Sequence, residues 1–332
     1  MKVSLRRQAS SLLVEAFFQG ASGLARIHPR ARLAMRDVDV LKDVRYGAEK
    51  GALLDVYRPR VRQPGVQSPA VLYVHGGGFR MLSKETHWVM ALQFARQGYT
   101  VFSIDYRLVP QHRFPAALQD AAEAYVWVVA NAQRYGGDAS RLILAGESAG
   151  ANLVTSLAVC STFQREEDFA RKVFETGVVP FAVLPACGIL QVTDTARFRR
   201  DEPAVSAIIA RRIDEVGQGY LGRDVTHSTD LADPLLVIES SAPSVRDLPA
   251  FFVPCGTLDP LLADTRRLAV ALRRRGVDVE EAHYKGVHAF HAFVFRPEAR
   301  RCWSDTHAFL ARRLKAQLDP ERASLRKERG RT

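Results

Sequence analysis

Cysteine is scarce in this chain: four residues, Cys160, Cys187, Cys255 and Cys302, in a length of 332. They stand far apart and none forms a C-x-x-C pair, so neither a disulfide framework nor a zinc-finger spacing is present. Three of the four lie in apolar surroundings and read as reduced core thiols of a cytoplasmic protein. Long hydrophobic runs are missing as well. Leu12-Leu13-Val14 follows Lys2, Arg6 and Arg7 in the manner of a signal peptide, but Glu15 ends the run. No stretch approaches the roughly 18–20 apolar residues of a membrane span, so secretion and insertion are not expected. The sequence shows no internal repeat and no low-complexity block.

Charge, too, is lacking where a nucleic-acid groove would need it. The formal net charge is +11, but residues 1–36 supply +6 of it and residues 311–332 supply +5, which leaves the body between them neutral. Basic ends on a neutral body argue against nucleic acid as a partner. They leave two readings, solvated ends or weak peripheral contact with an anionic membrane surface. What is present, 47% hydrophobic and 25% charged residues, is enough for one large α/β core carrying insertions.

Residues 1–45 read as helical and amphipathic, on the spacing of Leu12, Leu13, Ala16, Phe17 and Leu24. From Val44-Arg45-Tyr46 and Ala52–Tyr57 the period shortens toward two, predicting an antiparallel pair at a sheet edge. Ala70–Val74 is a continuous apolar run of the kind buried on both faces of a parallel sheet. Helix and strand then alternate: Glu85–Gln97 helical, Tyr99–Ile104 strand, Ala116–Tyr135 helical, Arg141–Ala145 strand, Gly177–Leu184 strand. The rhythm stops over Thr193–Arg246, which reads as an insertion. It resumes with the strand Ala250–Cys255, the helix Leu261–Arg275, the strand Val277–Tyr284 and a last helix to about Leu318. The stretch from Asp319 is polar, basic and without periodicity.

Gly146-Glu147-Ser148-Ala149-Gly150 stands where a strand must turn sharply into a helix, with glycines where side chains would collide. This is the pattern of a nucleophile elbow, although the pentapeptide alone fits a tight structural turn equally well. Serine chemistry needs a base, an acid to orient it and donors for an oxyanion, each at the C-terminal end of a strand. His75-Gly76-Gly77-Gly78 offers the donors: the Gly77 and Gly78 amides, with that of Ala149. A phosphate loop is the other reading of the triple glycine, but no Gly-Lys-Ser/Thr follows it. Asp259, after the strand Ala250–Cys255, is the preferred acid over Asp233, which repeats the Asp-Pro-Leu-Leu spelling inside the insertion. Asp264 reads as a first-turn helix acid. His288, directly after Gly286-Val287, is the preferred base over His291, which the pattern places one turn inside the last helix.

These motifs resemble the hormone-sensitive-lipase-like α/β-hydrolases, a group that includes bacterial carboxylesterases and arylacetamide deacetylase. The resemblance spans about Leu53 to Ala308 and rests on His75-Gly76-Gly77-Gly78-Phe79, Asp105-Tyr106-Arg107-Leu108-Val109-Pro110 with Phe114-Pro115-Ala116-Ala117, the elbow, Asp259-Pro260-Leu261 and His288-Ala289-Phe290. It implies a mostly parallel eight-stranded sheet flanked by helices, with a helical cap. The implied parts are residues 1–45 and 193–246 as cap, 46–192 and 247–318 as hydrolase core, and 319–332 as a basic tail. It further implies catalysis by Ser148, Asp259 and His288, an oxyanion hole of Gly77, Gly78 and Ala149, and supporting roles for His75, Gly76, Gly146 and Gly150. Tyr106 and Arg107 become structural. Gln111, Ala151 and Ala289 depart from the family's usual Glu, Gly and Gly, which touches the width of the site and none of its reacting groups. The expected activity is hydrolysis of short- to medium-chain acyl esters, with no cofactor and no metal. An amidase or peptidase with the same triad, a non-catalytic receptor on the same fold and a homodimer stay open, whereas an epoxide hydrolase would carry Asp at the elbow.

Overall fold

The computed structural model describes Gly20, Gly23 and residues 28–63, 65–222 and 228–318. The amphipathic pattern around Leu12–Phe17 and the basic tail from Asp319 lie outside them. The chain divides into two units, one ending at Ala289 and the other beginning at Phe290.

The first unit is built on one eight-stranded sheet: β1 (Val38–Arg45), β2 (Leu53–Pro59), β3 (Ser68–Val74), β4 (Thr100–Ile104), β5 (Gly137–Glu147), β6 (Ala182–Ala186), β7 (Ala250–Gly256) and β8 (Val279–Tyr284). Its order is β1-β2-β4-β3-β5-β6-β7-β8, antiparallel across β1/β2 and β2/β4 and parallel elsewhere. Every residue of β4, β6 and β7 is buried, which is why none of these strands shows an alternation of apolar and charged residues, although β4 carries the buried polar Thr100 and Ser103. Among the described residues the α-helices of this unit with six residues or more are α1 (Pro29–Met35), α2 (Trp88–Ala95), α3 (Ala116–Asn131), α4 (Ala149–Thr162), α5 (Asp168–Glu175), α6 (Ala207–Leu221), α7 (Pro234–Glu239) and α8 (Leu262–Arg274), with a single further turn at Arg197–Arg200. All fourteen residues of α4 are buried, so the helix that carries the elbow forward is a core element. The second unit holds the turn Phe290–Ala292 and α9 (Pro297–Leu318), with Trp303 Nε1 donating to the His291 carbonyl at 3.0 Å.

Three expectations need correction. The helical reading of residues 1–45 fails at Val38, where β1 begins. The spacing that carries the helix, Leu12 to Leu24, does not reach Val38, and a bulge between Leu41 and Val44 interrupts the period-two alternation that would mark β1 as a strand. The strand expected over Gly177–Leu184 is β6, displaced to Ala182–Ala186. His291 sits in the Phe290–Ala292 turn, ahead of the last helix and not inside it.

Residues 190–197 are tied down by the two acids that competed with Asp259. Asp233, at the start of α7, accepts hydrogen bonds from the Thr193 amide at 3.2 Å and from the Val192 amide and Thr193 hydroxyl. Asp264 is fully buried, accepts from the Leu190 amide at 2.8 Å and takes both oxygens to Arg197 Nη2 at 2.7 and 2.6 Å. It is the first-turn acid of α8 that the sequence suggests and also a buried ion-pair partner. Truncating it strands a buried guanidinium, so Asp264→Ala should destabilise the fold by about 3–5 kcal/mol. Chemical denaturation reads this, and the double change Asp264→Leu with Arg197→Met should recover most of the loss.

Candidate active site

Ser148 sits between β5 and α4 with φ 55° and ψ −116°, a backbone region that favours glycine. The turn is that tight because β5 and α4 both press on the end of β3. A Cβ on Gly146 would lie 2.6 Å from the Val74 carbonyl oxygen, and one on Gly150 would lie 2.0 Å from the same atom. Both glycines are therefore demanded by one carbonyl. The Ser148 amide donates to the Ala186 carbonyl at 3.0 Å, which pins the turn to the end of β6.

The loops after β7 and β8 bring the other two groups to it. Gly256 permits their approach, because a Cβ there would stand 2.3 Å from the Gly286 carbonyl oxygen. Thr257 and Leu258 donate their amides to the Tyr284 and Gly286 carbonyls at 2.7 and 3.0 Å, so the two loops are stitched together. Asp259 is buried and accepts from the Leu261 amide at 2.8 Å; its Oδ2 lies 2.9 Å from His288 Nδ1. His288 Nε2 lies 3.0 Å from Ser148 Oγ. Burial works against a charged His288, but the hydrogen bond and charge of Asp259, with Glu147 behind, outweigh it and raise its pKa above the usual histidine value. Such a chain can draw the proton from Ser148 and hold the resulting imidazolium. Asp233 and Asp264 instead bond residues 190–197.

The glycine loop after β3 lies beside the elbow. Gly77 and Gly78 both have positive φ, 110° and 60°. His75 is buried, its Nδ1 bonds the Gly76 carbonyl at 2.7 Å, and its ring stacks on Tyr106 with centroids 4.3 Å apart. The Tyr106 hydroxyl donates to the His75 carbonyl at 2.8 Å. Burial, and then the charge of His87, push the His75 pKa down to about 3, so it stays neutral. Arg107 clamps the buried Asp120 through Nε at 2.9 Å. Helix α6 meets the loop: Tyr220 stacks on Phe79 at 3.6 Å, and Val216 Cγ2 lies 3.1 Å from where a Gly78 Cβ would be.

The sequence reading gave Glu147, His87 and Tyr73 no role, yet they tie the loop to the elbow. Glu147 Oε1 accepts from the Gly76 amide at 2.6 Å and pairs with His87 Nε2 at 2.8 Å, while Oε2 accepts from the Tyr73 hydroxyl. Burial opposes charge on His87, and the charge and hydrogen bond of Glu147 prevail, leaving its pKa raised. An acid at the end of an apolar buried strand was the available signal. His87 acts as a positioning residue: His87→Phe should lower kcat about tenfold with KM little changed, and His87→Gln, which still donates, should restore most of it. Steady-state kinetics on the three proteins checks this.

A sharply turned serine, a histidine and a buried aspartate at the ends of β5, β8 and β7, beside a glycine loop after β3, define an α/β-hydrolase. Residues 71–294 match the model of a family described as alpha/beta hydrolase fold. The chain is 30% identical over 272 residues to esterase LipI of Mycobacterium tuberculosis, covering 80% of this chain and 78% of that one. It is 39% identical over 131 residues to the ethyl acetate hydrolase of Pseudomonas putida, a match that spans 39% of this chain and 41% of that protein. The crystal structure of esterase LipW from Mycobacterium marinum superposes with a TM-score of 0.73 at 27% identity, covering 92% of this chain and 90% of that one. The chain belongs to the hormone-sensitive-lipase-like α/β-hydrolase family and is a carboxylesterase-like hydrolase. Among the described residues no helix is long and apolar enough to cross a membrane.

Proposed function

We propose that the chain hydrolyses carboxylic esters of short to medium acyl length through an acyl-enzyme on Ser148. The observation that carries this is the continuous line Asp259–His288–Ser148, with contacts of 2.9 and 3.0 Å. His288 takes the Ser148 proton as Oγ attacks the ester carbonyl, and Asp259 holds the imidazole tautomer and the charge that forms. The Gly77, Gly78 and Ala149 amides receive the oxyanion, each worth on the order of 100-fold in rate. His288 then returns its proton to the departing alcohol and activates the water that releases the acid. No cofactor or metal enters these steps.

Leu258 and Val287, the residues before Asp259 and His288, are 65% and 55% exposed, so the rim beside the triad is apolar and suits an acyl or alkyl group. The relative named for ethyl acetate supports the short end of the range. Four buried free thiols suit a reducing compartment and support a cytoplasmic protein.

A series of nitrophenyl esters of increasing acyl length, each paired with its anilide, tests the reading. Turnover should peak at short to medium esters and be far slower on anilides. Anilide turnover matching the ester would make it an amidase, and no turnover at all would leave a receptor.

A further inference from the structure

Cys187 has no part in the proposed mechanism, yet it stands beside two of its groups. It follows β6, where φ turns to 41°, and its amide donates to the Pro254 carbonyl on β7 at 3.0 Å. One ligand atom each from Cys187, Asp259 and His288 lies within 4.8 Å of the other two. Cys187 and Asp259 are buried, and the His288 side chain, 37% exposed, opens the group to solvent.

We propose that Cys187, Asp259 and His288 form a binding site for one soft divalent cation of the zinc or cadmium class, and that its occupancy removes His288 from catalysis. The inhibitory consequence rests on the esterase reading; the binding does not. Thiolate, imidazole and carboxylate are the donors zinc uses, with metal–ligand distances of about 2.0–2.3 Å. A tetrahedral ion with such bonds holds its ligand atoms about 3–4 Å apart, so the group needs only small side-chain shifts to close on it. Three protein donors also leave the fourth position for water.

The proton balance is simple. Burial, then the charge of Asp259, push the Cys187 thiol up, so in the empty site it carries its proton. The ion takes that proton's place on sulfur, releasing it to solvent, and takes the place of the proton on His288 Nδ1, which moves to Nε2 so that the imidazole stays neutral. An imidazole held this way no longer has the Asp259 carboxylate to itself, and its Nε2 loses its alignment on Ser148 Oγ. The other acidic cluster, Asp43, Asp55 and Glu85, is a poor competitor because Lys84 Nζ already lies 2.8 Å from Asp43 and 2.9 Å from Asp55.

Chelator-stripped full-length protein titrated with cadmium, followed by the ultraviolet thiolate-to-cadmium absorption and by ester turnover, tests the site. One equivalent should give the band while turnover falls in parallel, and chelator should restore turnover. Cys187→Ala should lose the band and weaken inhibition at least about tenfold. Ser148→Ala should keep the band although inactive, and Cys255→Ala should keep both band and inhibition. His288→Ala, which retains the thiol, should bind at least about tenfold more weakly. No band in the wild-type protein, or equal binding in Cys187→Ala or His288→Ala, overturns the site. A band without loss of turnover overturns its inhibitory role. Absence of turnover in the untreated protein, with the band present, would count against the esterase reading alone.

Discussion

Ser148→Ala is expected to lose on the order of 10⁶-fold in kcat, down to what binding and the oxyanion donors supply without a nucleophile. Alanine tolerates the 55° φ no better than serine does, so the backbone strain is unchanged and the melting temperature should move little. What disappears is the Oγ atom 3.0 Å from His288 Nε2. Single-turnover measurements with a chromogenic short-chain ester check both parts: no burst of alcohol release, and no labelling by a phosphonate ester. Turnover surviving in this variant would mean that the chemistry does not pass through Ser148.

Asp259→Asn is expected to lower kcat about 10⁴-fold with the fold intact, because an amide neither fixes the productive tautomer of His288 nor compensates the imidazolium. It should also move the pH profile, and the sign can be worked out. His288 acts only when neutral, so activity falls as pH drops through its pKa. In the wild-type protein Asp259 raises that pKa, which puts the acid limb of kcat/KM above the ordinary histidine value of about 6.5. Removing the charge lets burial dominate, and the limb should shift to lower pH while the plateau collapses. A limb that stays in place would show that Asp259 does not face the titrating base.

The parts of the site legible in sequence are those whose chemistry is local. Ser148 is legible because its spelling is local, a serine between two glycines directly after an apolar strand, although the carbonyl that demands those glycines, that of Val74, belongs to β3; Asp259 follows the apolar run of β7, and His288 follows a glycine turn after β8. The sheet was legible for the same reason, since β4, β6 and β7 are buried throughout. What escaped depends on distance along the chain. Asp264 and Arg197 are 67 residues apart, and nothing near either announces a buried pair. Glu147 lay in full view inside the elbow, but its partners Tyr73, Gly76 and His87 come from elsewhere, so its role appears only when β3 and β5 lie side by side. Cys187 looked like one more small core residue until the ends of β6 and β7 met. In β1 the failure was of another kind, a bulge that interrupts the strand's period-two pattern.

The backbone angles of Ser148 set catalysis against selection for stability. At φ 55° and ψ −116°, glycine would relieve a conformational cost of roughly 1–3 kcal/mol that any other residue bears. A lineage released from the need to turn over esters would therefore drift downhill at this codon, growing hardier as it became inert.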